Sequence, residues 1–223
     1  MKTQDAALSA SPAATVASAA NDPKLPTPAA VAKLAARSWL GRVKRVALEE
    51  VENLHFRLLL ANLVVSLLPN VTFSRLRTAI YRLAGVQIGA HSLILGRIGF
   101  TGFGPIGRRL SIGSNTIING DCFADLNADV HIGNWVSIGH HVTFITAAHD
   151  LGPAACRAGR LRPDAIVVGD GSWIGARSTI LPGVTIGASS VVAAGSVVSG
   201  SVPPNRVVGG NPARPLKSLP PEP

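Results

Sequence analysis

The stretch VVGDGSWIGARSTILPGVTIGASSVVAAGSVV, residues 167–198, decides the fold. Within it and beside it, Val168, Ile174, Ile180, Ile186, Val192 and Val198 follow one another at intervals of six. Six is neither the 3.6 of a helix nor the 2 of a strand, so no single helix or simple strand buries such a row. A fixed short repeat marks a solenoid, and a hexapeptide period marks a parallel β-helix.

Upstream, Ile88, Ile94, Phe100, Ile106, Ile112, Ile118 and Ala124 keep the same interval. Ile132, Ile138 and Phe144 form a row displaced by two, which predicts a small insertion between Ala124 and Ile132. Glycine follows many of these rungs, as in Ile112-Gly113, Ile138-Gly139 and Ile174-Gly175. Four residues after most rungs stands a small or β-branched residue, such as Ser92, Thr116, Val136, Ser178, Ser190 or Ser196. Each hexapeptide therefore reads as a short flat strand plus a corner, with the glycine easing the bend. Three hexapeptides, roughly 18 residues, close one triangular coil, and coils stack about 4.8 Å apart. The stretch 88–202 predicts roughly six coils, each burying its apolar row against its neighbours alone. An aromatic content of 4% suits a narrow prism filled by Ile, Val and Ala.

At 223 residues the chain predicts one main domain with an accessory segment. The formal charge of +9 is spread over the helical segment and the C-terminal tail, with no basic stripe interleaved with aromatics. That argues against a nucleic-acid partner and for a polyanionic cofactor, an anionic lipid surface or simple solubility. Two cysteines, Cys122 and Cys156, make neither a disulfide framework nor a metal motif. No metal is expected, and a reducing cytoplasm is the expected compartment.

Residues 1–28, rich in Ala, Ser and Pro, read as a disordered tail. Their polar interruptions leave no signal-peptide core. Residues 29–84 read as helical. Val31, Leu34, Ala35, Trp39, Val43, Val46 and Val51 make an amphipathic stripe. A second helix is predicted from about Val51 to Leu68. A third runs to Leu83, capped by Thr72 or Ser74. The apolar run Leu58–Leu68 is too short to span a bilayer, which needs about 20 residues. Two readings stand. Either the helices pack on the solenoid's end or a partner subunit, or residues 29–84 make peripheral membrane contact through apolar faces flanked by Arg37, Arg42, Lys44, Arg45, Arg57, Arg75, Arg77 and Arg82. The β-helix is predicted over 85–202, with one interruption, a loop at 150–165 carrying Gly152, Pro153, Gly159 and Pro163. A loop that leaves a repeat and returns in register is usually functional. Pro203-Pro204 ends the repeat, and residues 203–223 form a tail.

The segment ITAAHD, the loop after it, the quoted repeat and then VPPNRVVGGNPAR resemble the hexapeptide-repeat acyltransferases. Within that family the match is nearest the maltose/galactoside O-acetyltransferase group and its polysaccharide-modifying relatives. The resemblance covers about residues 85–217 and implies a left-handed winding and a homotrimer with active sites between subunits. It implies acetyl-CoA as co-substrate and a sugar or lipid-linked saccharide as acceptor. His149 takes the place of the family's general base. An imidazole with an ordinary pKa near 6.5 accepts a hydroxyl proton at neutral pH as the oxygen attacks a thioester. The thioester is already activated, so no acyl-enzyme is needed. Asn119 matches the second active-site residue, binding the acceptor or orienting His149. Asp125 matches an acidic position of the polysaccharide branch, binding the sugar or holding the His149 tautomer. Trp173 matches a residue lining the pantetheine channel, and Ala176 and Ala194 match positions where cofactor amides meet backbone. Ser199 matches a position near the adenine. Arg214 and Lys217 match cationic positions facing the 3′-phosphate, which a guanidinium suits. His140 and His141 fall at corners, solvated or near a subunit interface.

Two other classes are weighed. A zinc carbonic anhydrase on this fold needs three converging histidines, and no histidine follows His149. A non-catalytic scaffold or membrane-docked assembly factor is opposed by the intact His149, loop, Trp173 and GNPAR.

Overall fold

The computed structural model describes residue 39, residues 41–44 and residues 55–220. Contacts divide the chain into two units, Met1–Val51 and Glu52–Pro223. In the first unit Trp39 and residues 41–44 are helical. The tail expected over 1–28 and most of the first helix lie outside the described residues.

The second unit is a parallel β-solenoid of about 6 turns preceded by two helices. Each complete turn contributes one strand to each of three faces, and the last, partial turn contributes a strand to the second face alone. The first face stacks Gln87–Ile88, Leu110–Ile112, Val130–Ile132, Ile166–Val168 and Thr185–Ile186. The second stacks Leu93–Ile94, Ile117–Ile118, Ser137–Ile138, Trp173–Ile174, Val191–Val192 and Arg206–Gly210. The third stacks Ile98–Thr101, Cys122–Asp125, Thr143–Ile145, Thr179–Ile180 and Val197–Val198. Ala213–Ser218 folds back antiparallel on Arg206–Gly210 and closes the last turn.

The rungs read from the sequence point inward. Ile174, Ile180, Ile186 and Val192 have no exposed surface. The small residues four positions on form a second buried row, and their hydroxyls tie coil to coil. Thr116 Oγ1 donates to the Gly133 carbonyl at 2.8 Å and accepts the Val136 N–H at 3.0 Å. Ser190 Oγ donates to the Pro203 carbonyl at 2.9 Å and accepts the Arg206 N–H at 3.2 Å. A buried hydroxyl is tolerated because both its roles are filled.

The small insertion expected between Ala124 and Ile132 is present, since Ala124 pairs with Phe144 while Ile112 pairs with Ile132. A second excursion escaped the period count. Ile88 pairs directly with Ile112, one hexapeptide further along than a coil of about 18 residues requires. Ile106, counted as a rung, sits instead in a 3-10 helix, Ile106–Arg108, inside that excursion. An insertion of six leaves the numerical interval intact, so the solenoid is interrupted twice rather than once. The segment read as a loop at 150–165 is an antiparallel hairpin whose first strand starts earlier, Ala147–Leu151 against Ala158–Pro163.

The two helices, Phe56–Ser66 (α1) and Ser74–Leu83 (α2), meet the predicted second and third helices. The expected Thr72 or Ser74 cap is absent. The N-cap is Phe73, in the left-handed region at φ 58°, with no side-chain cap. What anchors α2 is its inner face, which closes the first coil. Thr78 Oγ1 accepts the Ile94 N–H at 3.0 Å, and the Tyr81 hydroxyl accepts the Ile98 N–H at 3.0 Å. Arg77, fully buried, donates to the carbonyls of Ile94 at 3.2 Å and Pro69 at 2.8 Å. The open end of a solenoid bares strand groups that need partners, and α2 supplies them.

Candidate active site

The third face has two edges. The chain enters it at a leading edge and leaves it at a trailing edge, and the sequence-predicted residues divide between the two.

The trailing edge carries His149. The chain leaves the third face at Thr146, which is fully buried. Its Oγ1 donates to the Asp125 carbonyl at 2.7 Å and accepts the Ala128 N–H at 2.9 Å. The Asp164 N–H donates to the Thr146 carbonyl at 2.7 Å, so the hairpin leaves and returns at one point. Three residues out, His149 lies opposite Leu161, just before an irregularity in the pairing. Its ring is exposed to solvent, and Nδ1 lies 2.8 Å from the Gly159 carbonyl. A carbonyl only accepts, so this bond requires the proton on Nδ1 and, in the neutral ring, leaves the lone pair on Nε2. Asp125 stands one coil away at the same edge, its carboxylate accepting from Asn127 Nδ2 at 2.5 Å. Ser199, exposed, follows Val198 at the same edge three coils on from Asp125.

The leading edge, with the second face that runs into it, carries most of the residues matched to the cofactor. Ile118, Ile138, Ile174, Val192 and Val208 stack in register on the second face. The second residue after each therefore forms a column: Gly120, His140, Ala176, Ala194 and Gly210. The N–H groups of Ala176 and Ala194 donate to nothing among the described residues. Neighbouring coils touch closely here. A Cβ on Gly139 would fall 2.5 Å from the Ala176 nitrogen. Trp173 faces outward on the second face, 57% exposed, in a row with Val191, Val207 and Lys217. Arg214 sits opposite Gly209 on the closing hairpin and is exposed. Asn119 also belongs to this edge. Its Nδ2 donates to the Ile138 carbonyl at 2.8 Å.

In the single chain, then, Asn119, Ala176 and Ala194 lie on the leading edge at different coils, and Trp173, Arg214 and Lys217 lie on the adjoining second face and its closing hairpin, while His149, Asp125 and Ser199 lie across the third face. That face is about 16 Å wide for the roughly five residues that cross it. No hydrogen bond among the described residues joins His149 to Asn119 or Asp125. The group that holds the imidazole is the Gly159 carbonyl, which residue-type reasoning missed. The only signal for it was the pair of glycines in the loop. Gly152 and Gly159 pack against each other there, and a Cβ on Gly159 would meet the Gly152 Cα at 3.4 Å. Among the described residues no cluster of His, Cys, Asp and Glu is arranged to hold a metal ion.

The profile described as bacterial transferase hexapeptide (six repeats) matches residues 165–200. Galactoside O-acetyltransferase of Escherichia coli is 36% identical over 115 residues, 49% of this chain and 57% of that protein. The chain spans little more than half the length of the curated relatives it matches. Among solved structures, a hexapeptide-repeat containing acetyltransferase of Vibrio cholerae complexed with acetyl coenzyme A superposes with a TM-score of 0.65 at 35% identity, covering 76% of this chain and 89% of that one. A maltose O-acetyltransferase from Clostridium difficile superposes with a TM-score of 0.66 at 28% identity, covering 77% and 88%. With its stacked hexapeptide coils and that extent of shared sequence, the chain belongs to the hexapeptide-repeat acetyltransferase family.

Proposed function

We propose that the protein transfers the acetyl group of acetyl-CoA to a hydroxyl of a sugar or lipid-linked saccharide, as a step in polysaccharide or glycolipid biosynthesis. The active sites are the grooves of a homotrimer, in which the trailing edge of one protomer faces the leading edge of the next. One observation carries the reading: the exposed imidazole of His149 and the N–H groups of Ala176 and Ala194, which donate to nothing among the described residues, lie on opposite edges of the same face. A heterologous three-fold contact pairs opposite edges, whereas a lone protomer leaves them apart.

In the groove the pantetheine runs along the leading edge past Trp173, and its amide oxygens accept from the N–H groups of Ala176 and Ala194. Arg214 and Lys217 face the phosphates, and Ser199 of the neighbouring edge approaches the adenine. Nε2 of His149 takes the acceptor's hydroxyl proton as that oxygen attacks the thioester carbon. The negative charge on the carbonyl oxygen is met by backbone N–H donors. The intermediate collapses, the C–S bond breaks, and the imidazolium returns its proton to the CoA sulfur. Asn119 and Asp125 bind or orient the acceptor. The two free thiols suit a reducing compartment such as the cytoplasm.

The test is release of free CoA from acetyl-CoA by the purified chain, offered free sugars, nucleotide sugars and lipid-linked saccharides. His149→Ala is expected to lower the rate by at least about 10²-fold with the oligomer intact. An unchanged rate in that variant would remove the proposed base.

A further inference from the structure

We infer that the outer face of the two helices docks on an anionic lipid surface. The first observation is a second apolar stripe on α1. Leu58, Ala61 and Val65 point inward and are buried. Phe56, Leu59, Leu60, Leu63, Val64 and Leu67 repeat at helical spacing on the other side, with exposures from 40% at Val64 to 78% at Leu67. A helix apolar on both sides is normally covered on both. Phe73, Leu76 and Leu83 of the α2 region are exposed as well, at 60%, 50% and 75%. Between α1 and α2 runs a groove of about 250 Å³ lined by Leu60, Ala61, Val64, Ile80 and Leu83. Contiguous exposed apolar surface of this kind marks an interaction site.

The second observation is charge. Between Glu52 and Asp121 the chain holds no aspartate or glutamate, and every charged side chain there is an arginine. Arg57, Arg75 and Arg82 are exposed on the helices, and Arg108 is exposed on the adjoining excursion. This pattern selects the occupant. A second copy presenting the same face would bring arginines against arginines with no carboxylate to pair them. An anionic bilayer surface offers apolar depth for the Leu and Phe stripe and phosphates for the guanidinium rim. No helix among the described residues is long and apolar enough to cross a membrane, so the contact is peripheral. The inference stands independently of the acetyl-transfer reading.

Co-sedimentation of the full chain with vesicles tests it. Vesicles of phosphatidylcholine mixed with phosphatidylglycerol are expected to bind roughly tenfold more protein than phosphatidylcholine alone, and about 0.5 M salt to remove most of that preference. Leu63→Glu combined with Leu67→Glu should abolish binding while thermal unfolding followed by circular dichroism stays at the parent's midpoint, since both positions are exposed. Equal binding by parent and variant overturns the assignment to this face. Failure of the parent to bind either vesicle overturns it too. If the substitutions then dissociate an oligomer in sedimentation velocity, the face belongs to a second copy instead. CoA release with a soluble acceptor should be the same in parent and variant, which separates this outcome from loss of the catalytic groove.

Discussion

Nδ1 of His149 donates to the carbonyl of Gly159 at 2.8 Å, across the two strands of the hairpin. The bond fixes one tautomer and one ring orientation without using a carboxylate. It also makes the proposed base depend on the shape of a hairpin neck that only glycine fits. A Cβ on Gly159 would stand 2.8 Å from the Asp150 carbonyl oxygen. Gly159→Ala should therefore push the strands apart and swing the imidazole. Acetyl transfer is expected to fall by about tenfold or more, while the thermal midpoint moves by no more than about 2 °C, because the hairpin lies outside the stacked coils. Unchanged turnover would show that this bond does not position the proposed base.

The division of residues between two edges makes a prediction about mixed oligomers. His149→Ala damages one edge and Trp173→Ala the other. Each alone should be nearly inactive. Co-expressed in equal amounts, they should recover about a quarter of parental activity, because one groove in four pairs two intact edges. Activity no higher than that of either variant alone would mean that a single protomer holds the whole site.

Arg77 is the buried link between α2 and the first coil, and its guanidinium serves the carbonyls of Ile94, Pro69 and Leu68. Burial lowers its pKa from the ordinary value, with Tyr81 acting in the opposite sense. Arg77→Ala leaves those carbonyls unpaired and a void beneath the helices. A loss of about 3–5 kcal/mol is expected in chemical denaturation. The damage should start at this end, since repeat stability is nearest-neighbour, and hydrogen exchange should quicken first over residues 87–101.

Cys122 is packed below the leading edge, its thiol directed at the carbonyls of Asn119 and Gly139. Burial raises its pKa from 9.0 to about 11. The folded state thus holds this proton more tightly than the unfolded chain does. The resulting stability is fully present below pH 9 and is lost as pH rises towards about 11. Cys122→Ala should flatten the stability profile over that window. In the native protein a thiol reagent at pH 8 should label Cys156, which is exposed, and spare Cys122. Rapid labelling of both would contradict the packing.

Much of the solenoid could be read directly from the chain. The six-residue interval sets which side chains face inward, because each hexapeptide is a local unit whose corner chemistry lies within its own few residues. The displaced row at Ile132 was visible because an insertion of two breaks the numerical pattern. The excursion around Ile106 was hidden because six extra residues preserve it, and only the pairing of Ile88 with Ile112 exposes the extra hexapeptide. The helix start at Phe73 likewise went against local propensity, as the contacts of Arg77, Thr78 and Tyr81 with the first coil hold α2 in place.

His149 and the cofactor-matching residues stood out by resemblance, as residue types at particular places in the repeat. Which of them share an edge is a matter of how coils stack and where the chain crosses a face. Tertiary structure alone decided that the imidazole is held by a carbonyl ten positions away, that the N–H groups of Ala176 and Ala194 stand in one column without a partner among the described residues, and that the two groups stand on opposite sides of the third face. The physical reason is range. A repeat writes each strand and corner in adjacent residues, whereas a binding edge is assembled from residues one coil or more apart, joined by hydrogen bonds that no short window of sequence contains.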